Sequence, residues 1–316
     1  MSGRPLLSLR VPATTANLGS GFDTLGMALT LYNVFDVVGI LPEGQFACQV
    51  SGEGTDELQD AESNMVIRSY RRACMEWGLP PRGFALSSCN AIPLNRGLGS
   101  SSTAVIAGVY LAKLLSGRSL PEAEMLRVAT LIEGHPDNVV PCLVGGMTVS
   151  CWDGRELRYV RLPPLPDDLY VVAAVPDFQV RTEDARRALP ETVPFEDAVF
   201  NVSRAALLCA AWATGQWDLL RIGMDDRLHQ PCRAKLFPGG EEILAEVRQR
   251  PDCLAAAISG SGPTMIAIVR GSPGRVASEM CRIFTGGSLG AGGVASHFFV
   301  LSCAPSGTSA TGNAIQ

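Results

Sequence analysis

Lysine is nearly missing from this chain. Of its 26 basic residues only Lys113 and Lys235 are lysines, and the rest are arginines. A Walker A loop ends in Gly-Lys-Ser/Thr, and a protein kinase needs a lysine in a Val-Ala-Ile-Lys strand. Neither lysine sits in such a context, and His-Arg-Asp and Asp-Phe-Gly are absent. Paired cysteines are missing too. The 10 cysteines are scattered without a Cys-x-x-Cys, which argues against zinc and dithiol motifs and for buried thiols in a reduced, intracellular protein. No apolar run approaches the ~20 residues of a membrane span; the longest, Thr103 to Leu115, is broken by Lys113. Leu6-Leu7 is too short for a secretory signal. Charge is scarce: 18% of residues are charged and the net charge is -5, so the clustered positive charge of a nucleic-acid surface is lacking. No repeat of fixed period is present. The expectation is a cytoplasmic chain that engages neither nucleic acid nor membrane.

What is present is a large apolar fraction, 47% of 316 residues, enough for about two domains. Val34 to Ile40, Gln45 to Val50 and Phe84 to Ser88 read as strands. Met65 to Trp77, Ser100 to Leu115 and residues 121–133 read as helices, the last opened by Pro121. A loop follows, and Gly145 to Ser150 begins another strand. The proline-rich stretch Arg161 to Pro166 marks a boundary, dividing the chain into residues 1–160 and 161–303. Beyond it the pattern predicts strands at Leu169 to Val175, Ala255 to Ser259, Thr264 to Val269 and His297 to Leu301. Helices are predicted at Ala198 to Ala213, Glu241 to Gln249 and Arg275 to Phe284. This mixture predicts an α+β sandwich. Residues 304–316, rich in Ser, Gly, Thr and Ala, read as a disordered tail.

The densest chemistry lies in Pro93-Leu94-Asn95-Arg96-Gly97-Leu98-Gly99-Ser100-Ser101-Ser102-Thr103, between a predicted strand and an apolar helix. Glycines permit a tight turn and close backbone approach. Serines at a helix start cap N–H groups and offer hydroxyls, and the helix N-terminus attracts anions. A polyphosphate fits such a junction. It would be held by backbone and hydroxyl donors, with Mg²⁺ neutralising the charge that lysine neutralises elsewhere. The plainer reading is a tight turn capping a buried helix, which two glycines and three serines at one junction make less economical.

This loop resembles the P-x-x-x-G-L-G-S-S motif of the GHMP kinases. Val11 to Gly26, containing Ala16-Asn17-Leu18-Gly19-Ser20-Gly21-Phe22-Asp23, is similar to the N-terminal signature of the homoserine kinase branch. Glu133-Gly134-His135-Pro136-Asp137-Asn138-Val139-Val140-Pro141 is similar to its central motif, and Ser259-Gly260-Ser261-Gly262-Pro263-Thr264 to its C-terminal glycine loop. Thr182 to Pro190 and His229 to Gly239 add to the likeness. The resemblance implies an N-terminal domain of the ribosomal-protein-S5 domain 2-like type, a ferredoxin-like C-terminal domain, a cleft between them, and a homodimer. It further implies ATP and Mg²⁺ as cofactors and L-homoserine as substrate, phosphorylated on the route to threonine.

The resemblance also implies roles. Asn17 and Asp23 match positions that hold the amino acid's hydroxyl and ammonium ends; alone they would read as turn residues beside Gly19 and Gly21. Arg186 and Arg233 match a carboxylate clamp, for which guanidinium forks are suited; Arg187 adjoins the first, and an isolated arginine is more often a surface residue. Ser100 and Glu133 match Mg²⁺ ligands, with Ser101 a competitor and a helix-end surface charge the bland reading of Glu133. His135 matches a substrate-pocket position, and Asn64 one near the nucleotide's base and ribose, where it also suits a helix N-cap. Asn138 stands where some GHMP kinases carry an aspartate base. An amide cannot accept the proton as a carboxylate would, so direct attack by the substrate hydroxyl is expected, with neighbouring Asp137 as the alternative base. Cys89-Asn90-Ala91 lacks a charged residue expected in many relatives. Two other readings are a GHMP kinase for a different alcohol and a non-catalytic ligand-binding relative.

Overall fold

Alternation of inward Leu7, Leu9 and Val11 with outward Ser8 and Arg10 starts the first strand, β1 (Leu7–Ala16). The computed structural model describes residues 4–286 and 293–312. β1 pairs antiparallel with the long β2 (Leu25–Leu41), and the register shifts after Pro12, which has no N–H to offer the ladder. β3 (Phe46–Gly52) runs parallel to β4 (Gly83–Asn90), the crossover being the helix α1 (Met65–Glu76). Three further helices follow: α2 (Ser100–Ser116), α3 (Glu122–Glu133) and α4 (Pro136–Val144). The strands β5 (Met147–Trp152) and β6 (Leu157–Arg161) then extend the sheet from the start of β2.

A four-stranded antiparallel sheet comes next, in the order β10-β7-β9-β8. It contains β7 (Leu169–Pro176), β8 (Cys253–Ile258), β9 (Met265–Arg270) and β10 (Ser296–Leu301). Between β7 and β8 lie α5 (Thr182–Arg187), α6 (Phe195–Thr214), α7 (Leu220–Gly223), α8 (Gln230–Arg233) and α9 (Gly240–Glu246). α10 (Pro273–Gly286) precedes β10. The fold is α+β with two sheets. One core packs α1–α4 on the first sheet. A second runs between the sheets, where Leu18, Met27 and Leu98 meet Val171, Trp212 and Ile266. A third lies under α10. Each buried Leu, Ile or Phe contributes on the order of 2 kcal/mol. The middle core sets the two halves face to face, so the loops at its rim converge on one cleft.

Two expectations need correction. The loop expected between residue 133 and Gly145 is the helix α4, whose residues Pro136 to Leu143 are all buried. The tail expected to be disordered from residue 304 instead returns to the first sheet. β11 (Ser309–Gly312) pairs antiparallel with β1, Leu7 opposite Gly312 and Arg10 opposite Ser309. Its side chains are exposed, so composition gives no sign of it; backbone hydrogen bonds to an otherwise open edge order the segment. The remainder of that tail, residues 313–316, lies outside the described residues.

Candidate active site

The segment joining β4 to α2 passes through left-handed backbone at Asn95, Gly97 and Gly99. Close approach demands the glycines as much as φ does. A Cβ on Gly97 would lie 2.2 Å from the Ser259 carbonyl oxygen, and one on Gly99 2.0 Å from the Thr14 hydroxyl. The loop is pinned from both halves of the molecule. The Leu98 carbonyl accepts from the Thr14 N–H (3.1 Å), the Arg96 carbonyl from the Thr264 N–H (3.2 Å), and the Gly97 carbonyl from Ser259 Oγ (2.6 Å). Asn33 in β2 fixes its start, accepting from the N–H groups of Ala91 and Ile92. The sequence reading begins that strand at Val34 and so misses Asn33; an asparagine inside an apolar strand was the available signal.

The serines do not cap α2 as expected. The N-cap is Gly99, no side chain bonds the free N–H groups, and the first turn has no acidic residue. The hydroxyls turn to Glu133 at the end of α3 instead: Ser102 Oγ donates to Oε1 at 2.7 Å and Ser101 Oγ to Oε2 at 3.4 Å. The start of α2 therefore keeps its N–H donors and positive dipole end where Gly97, Gly99, Ser100 and Ser101 line the cleft. Pro93, Leu98 and Thr103 face inward. Thr103 donates to the Ser100 carbonyl and accepts from Asn33 Nδ2, so these residues hold the loop rather than line it.

A second cavity, of about 230 Å³, adjoins the cleft at Ser100 and Ser101. Phe35, Val50, Met65 and Leu94 give it apolar walls, and Asn95, Glu57 and Asn64 polar edges. Asn64 caps α1, its Oδ1 accepting from the Val66 N–H at 3.0 Å, while Nδ2 donates to the Leu58 carbonyl. Glu57 escapes the sequence reading because it sits in a turn without periodicity.

The α3–α4 corner places a polar chain in the cleft. His135 Nδ1 lies 2.5 Å from Asp137 Oδ1. Asn138 Nδ2 donates to the same oxygen at 3.4 Å, and Asn138 Oδ1 accepts from Thr14 Oγ1 at 2.7 Å, which fixes the amide's orientation. Burial disfavours a charged imidazole, but the Asp137 carboxylate, helped by Glu133 and Asp23, outweighs it and lifts His135 to about 9. His135 is therefore an imidazolium at neutral pH.

Opposite stands the Asn17–Asp23 loop. Asn17, Leu18 and Asp23 all have positive φ, a conformation rare for a leucine and costly for any of them. Asn17 Nδ2 donates to the Gly260 carbonyl at 2.9 Å, and its Oδ1 accepts from the Asp23 N–H. The Asp23 carboxylate is clamped by both nitrogens of the Arg186 fork, at 2.8 and 3.0 Å. Arg187 turns away to Asp184 on the exposed side. Arg233 is 2% exposed and donates to the carbonyls of Gly260 and Ala185. No carboxylate pairs with it among the described residues. Burial, reinforced by nearby Arg186, lowers its pKa to about 10. It is a buried cation with no counter-anion among the described residues. Gly260 and Ser261 of the glycine loop line the cleft, and Ser259 and Gly262 lie behind them. Thr14 and Thr182 also serve the site, the first through Asn138, the second in the cleft wall; neither stands out from its neighbours in sequence.

Comparison with known proteins agrees with this architecture. The GHMP kinases N terminal domain matches residues 64–146 and the GHMP kinases C terminal domain residues 205–286. Homoserine kinase of Moorella thermoacetica is 44% identical over 276 residues, 87% of this chain and 92% of its own. That of Carboxydothermus hydrogenoformans is 42% identical over 265 residues, 84% of this chain and 86% of its own. The crystal structure of homoserine kinase from Cytophaga hutchinsonii superposes with a TM-score of 0.82 at 28% identity, covering 98% of this chain and 99% of that one.

Proposed function

The chain belongs to the homoserine kinases of the GHMP kinase family, and from that premise we propose that its cleft transfers the γ-phosphoryl group of Mg-ATP to the side-chain hydroxyl of L-homoserine. The products are O-phospho-L-homoserine and ADP, on the route to threonine. The observation that carries the choice of substrate is the charge set at one end of the cleft: a buried Arg233 without a counter-anion beside the Asp23–Arg186 pair. A zwitterion matches it, its carboxylate meeting the arginines and its ammonium meeting Asp23. Binding then exchanges one ion pair for two, and a neutral sugar or a hydroxy acid without an amine satisfies only part of the set.

The phosphates sit against the start of α2, where free N–H groups and the helix dipole replace the absent lysine. Arg96 borders that place, and the apolar cavity near Asn64 takes the base and ribose. The donor set suits magnesium: the Glu133 carboxylate beside serine hydroxyls offers only oxygens, as a hard cation prefers. Glu133 and Ser100, with Ser101 adjoining, would hold it, and when bound it would neutralise developing phosphate charge. Asn138, locked between Thr14 and Asp137, orients the hydroxyl for direct attack, while Asp137 serves as counter-ion to His135. We also propose that the working unit is a cytoplasmic homodimer. Among the described residues no helix is long and apolar enough to cross a membrane, and the exposed face of α6 supports self-association.

Mass spectrometry after incubation with Mg-ATP and L-homoserine, mevalonate or galactose tests the substrate. Phosphohomoserine is the expected product. Turnover of mevalonate or galactose but not homoserine overturns the assignment, and ATP binding without ADP formation favours a non-catalytic role.

A further inference from the structure

His229 takes no part in the chemistry above, yet it is fully buried. Its Nε2 lies 2.8 Å from the Gly19 carbonyl oxygen, and its Nδ1 is buried without a partner. A carbonyl accepts only from an N–H, so the ring is the Nε2–H tautomer. Burial lowers its pKa, with Asp226 opposing, and keeps it neutral.

The ring is aimed rather than merely enclosed. Asp226 Oδ2 accepts from the His229 N–H at 3.0 Å, and Asp226 Oδ1 from Asn201 Nδ2 at 2.7 Å. The same region grips the next loop residue, as Ser20 Oγ donates to the Gly223 carbonyl at 2.6 Å. Gly19 has φ +76°, and a Cβ there would lie 1.9 Å from the Met224 carbonyl oxygen. The imidazole also packs on Phe22, ring centres 5.2 Å apart. Phe22 in turn carries the guanidinium groups of Arg186 and Arg233, at 5.7 and 5.0 Å from its ring centre.

We infer that His229 is a positioning residue for the amino-acid end of the substrate. Its Nε2–H sets the backbone of the loop bearing Asn17 and Asp23, and its face steadies the aromatic platform under both arginines. The inference rests on the homoserine reading of the cleft. It separates the two ligands: the imidazole's hydrogen bond and its ring contact go to Gly19 and Phe22 in the loop at the amino-acid end, not to the phosphate loop or the nucleoside cavity, so homoserine binding depends on it and ATP binding does not.

Steady-state kinetics of three variants tests this. A glutamine amide reaches about where Nε2 lies, and an asparagine amide only where Nδ1 lies. His229→Leu removes the donor and strands a buried carbonyl. KM for homoserine is expected to rise on the order of tenfold, with KM for ATP changed less than about twofold. His229→Gln is expected to restore KM for homoserine to within about threefold of the parent, and His229→Asn to resemble the leucine variant. Should His229→Leu fail to fold, the Gln–Asn contrast decides. Equal impairment by Gln and Asn, or a parallel rise in both KM values, overturns the inference. A parent enzyme that makes no phosphohomoserine overturns the functional reading itself; normal parent turnover with a normal His229→Asn sinks only the role of His229.

Discussion

Arg186 and Arg233 are alike in chemistry and differ in circumstance. The first already holds a carboxylate, Asp23, whereas the second is buried with carbonyl partners only. Among the described residues that line the cleft, Arg233→Leu therefore removes the one guanidinium without a carboxylate partner. KM for homoserine should rise about 30- to 100-fold, the worth of roughly 2–3 kcal/mol for a charged hydrogen bond, while KM for ATP stays nearly constant. An unchanged KM for homoserine removes Arg233 from the pocket. Asp137 is tested separately. A general base is worth about 10²–10⁴ in rate. As counter-ion to His135, Asp137 should cost kcat about tenfold when replaced by asparagine; a loss above a thousandfold makes it the base. At this scale the sequence names the groups only through the family likeness, since a lone arginine or asparagine carries no periodic signal. It is silent on partners: nothing in Asp23 or Arg186, 163 positions apart, announces their pairing.

Elements differ in how openly the sequence declares them. The β4–α2 junction is legible because glycine and serine density at a strand–helix boundary has few other uses. The destination of the serine hydroxyls is not legible, because Glu133 comes from another helix. α4 is hidden by its own punctuation. Pro136 and Pro141 read as helix breakers, yet Pro136 occupies the first turn, where no N–H is needed. Pro141 only frees the Asp137 carbonyl, against which Gly26 packs without a side chain. At the β4–α2 junction, Gly99 leaves no room for a side chain. Gly99→Ala puts a methyl group on the Thr14 hydroxyl, which also holds Asn138, at a left-handed φ of +71°. The strain of about 1–3 kcal/mol should lower the melting temperature by several degrees. Displacement of the helix start should raise KM for ATP at least about tenfold. Parental stability with parental KM for ATP would mean that the loop does not need this glycine.

At the scale of the whole molecule, the outer face of α6 is an apolar surface with no partner among the described residues. On α6 the inner face buries Asn201, Leu208, Ala211 and Trp212. The outer face exposes Phe195 (84%), Val199 (53%) and Val202 (71%), then Ala206, Ala210 and Ala213 at the same helical spacing. Large residues occupy the first half of this stripe and alanines the second. In the proposed dimer, a two-fold axis crossing the helix near Arg204 would set Phe195 against Ala213, Val199 against Ala210 and Val202 against Ala206 of a second copy, bulk against space each time. A mixed partner would have no reason to match that order, so the stripe favours self-association over a foreign protein. Val202→Glu, close to the axis, would bring two carboxylates into that apolar seam. Sedimentation velocity should find the parent at twice the chain mass and the variant at one. Because the stripe lies on the face of α6 turned away from the buried side, KM for ATP and homoserine should hardly change in the monomer. A variant that remains dimeric places the contact elsewhere, and a monomeric parent removes it altogether.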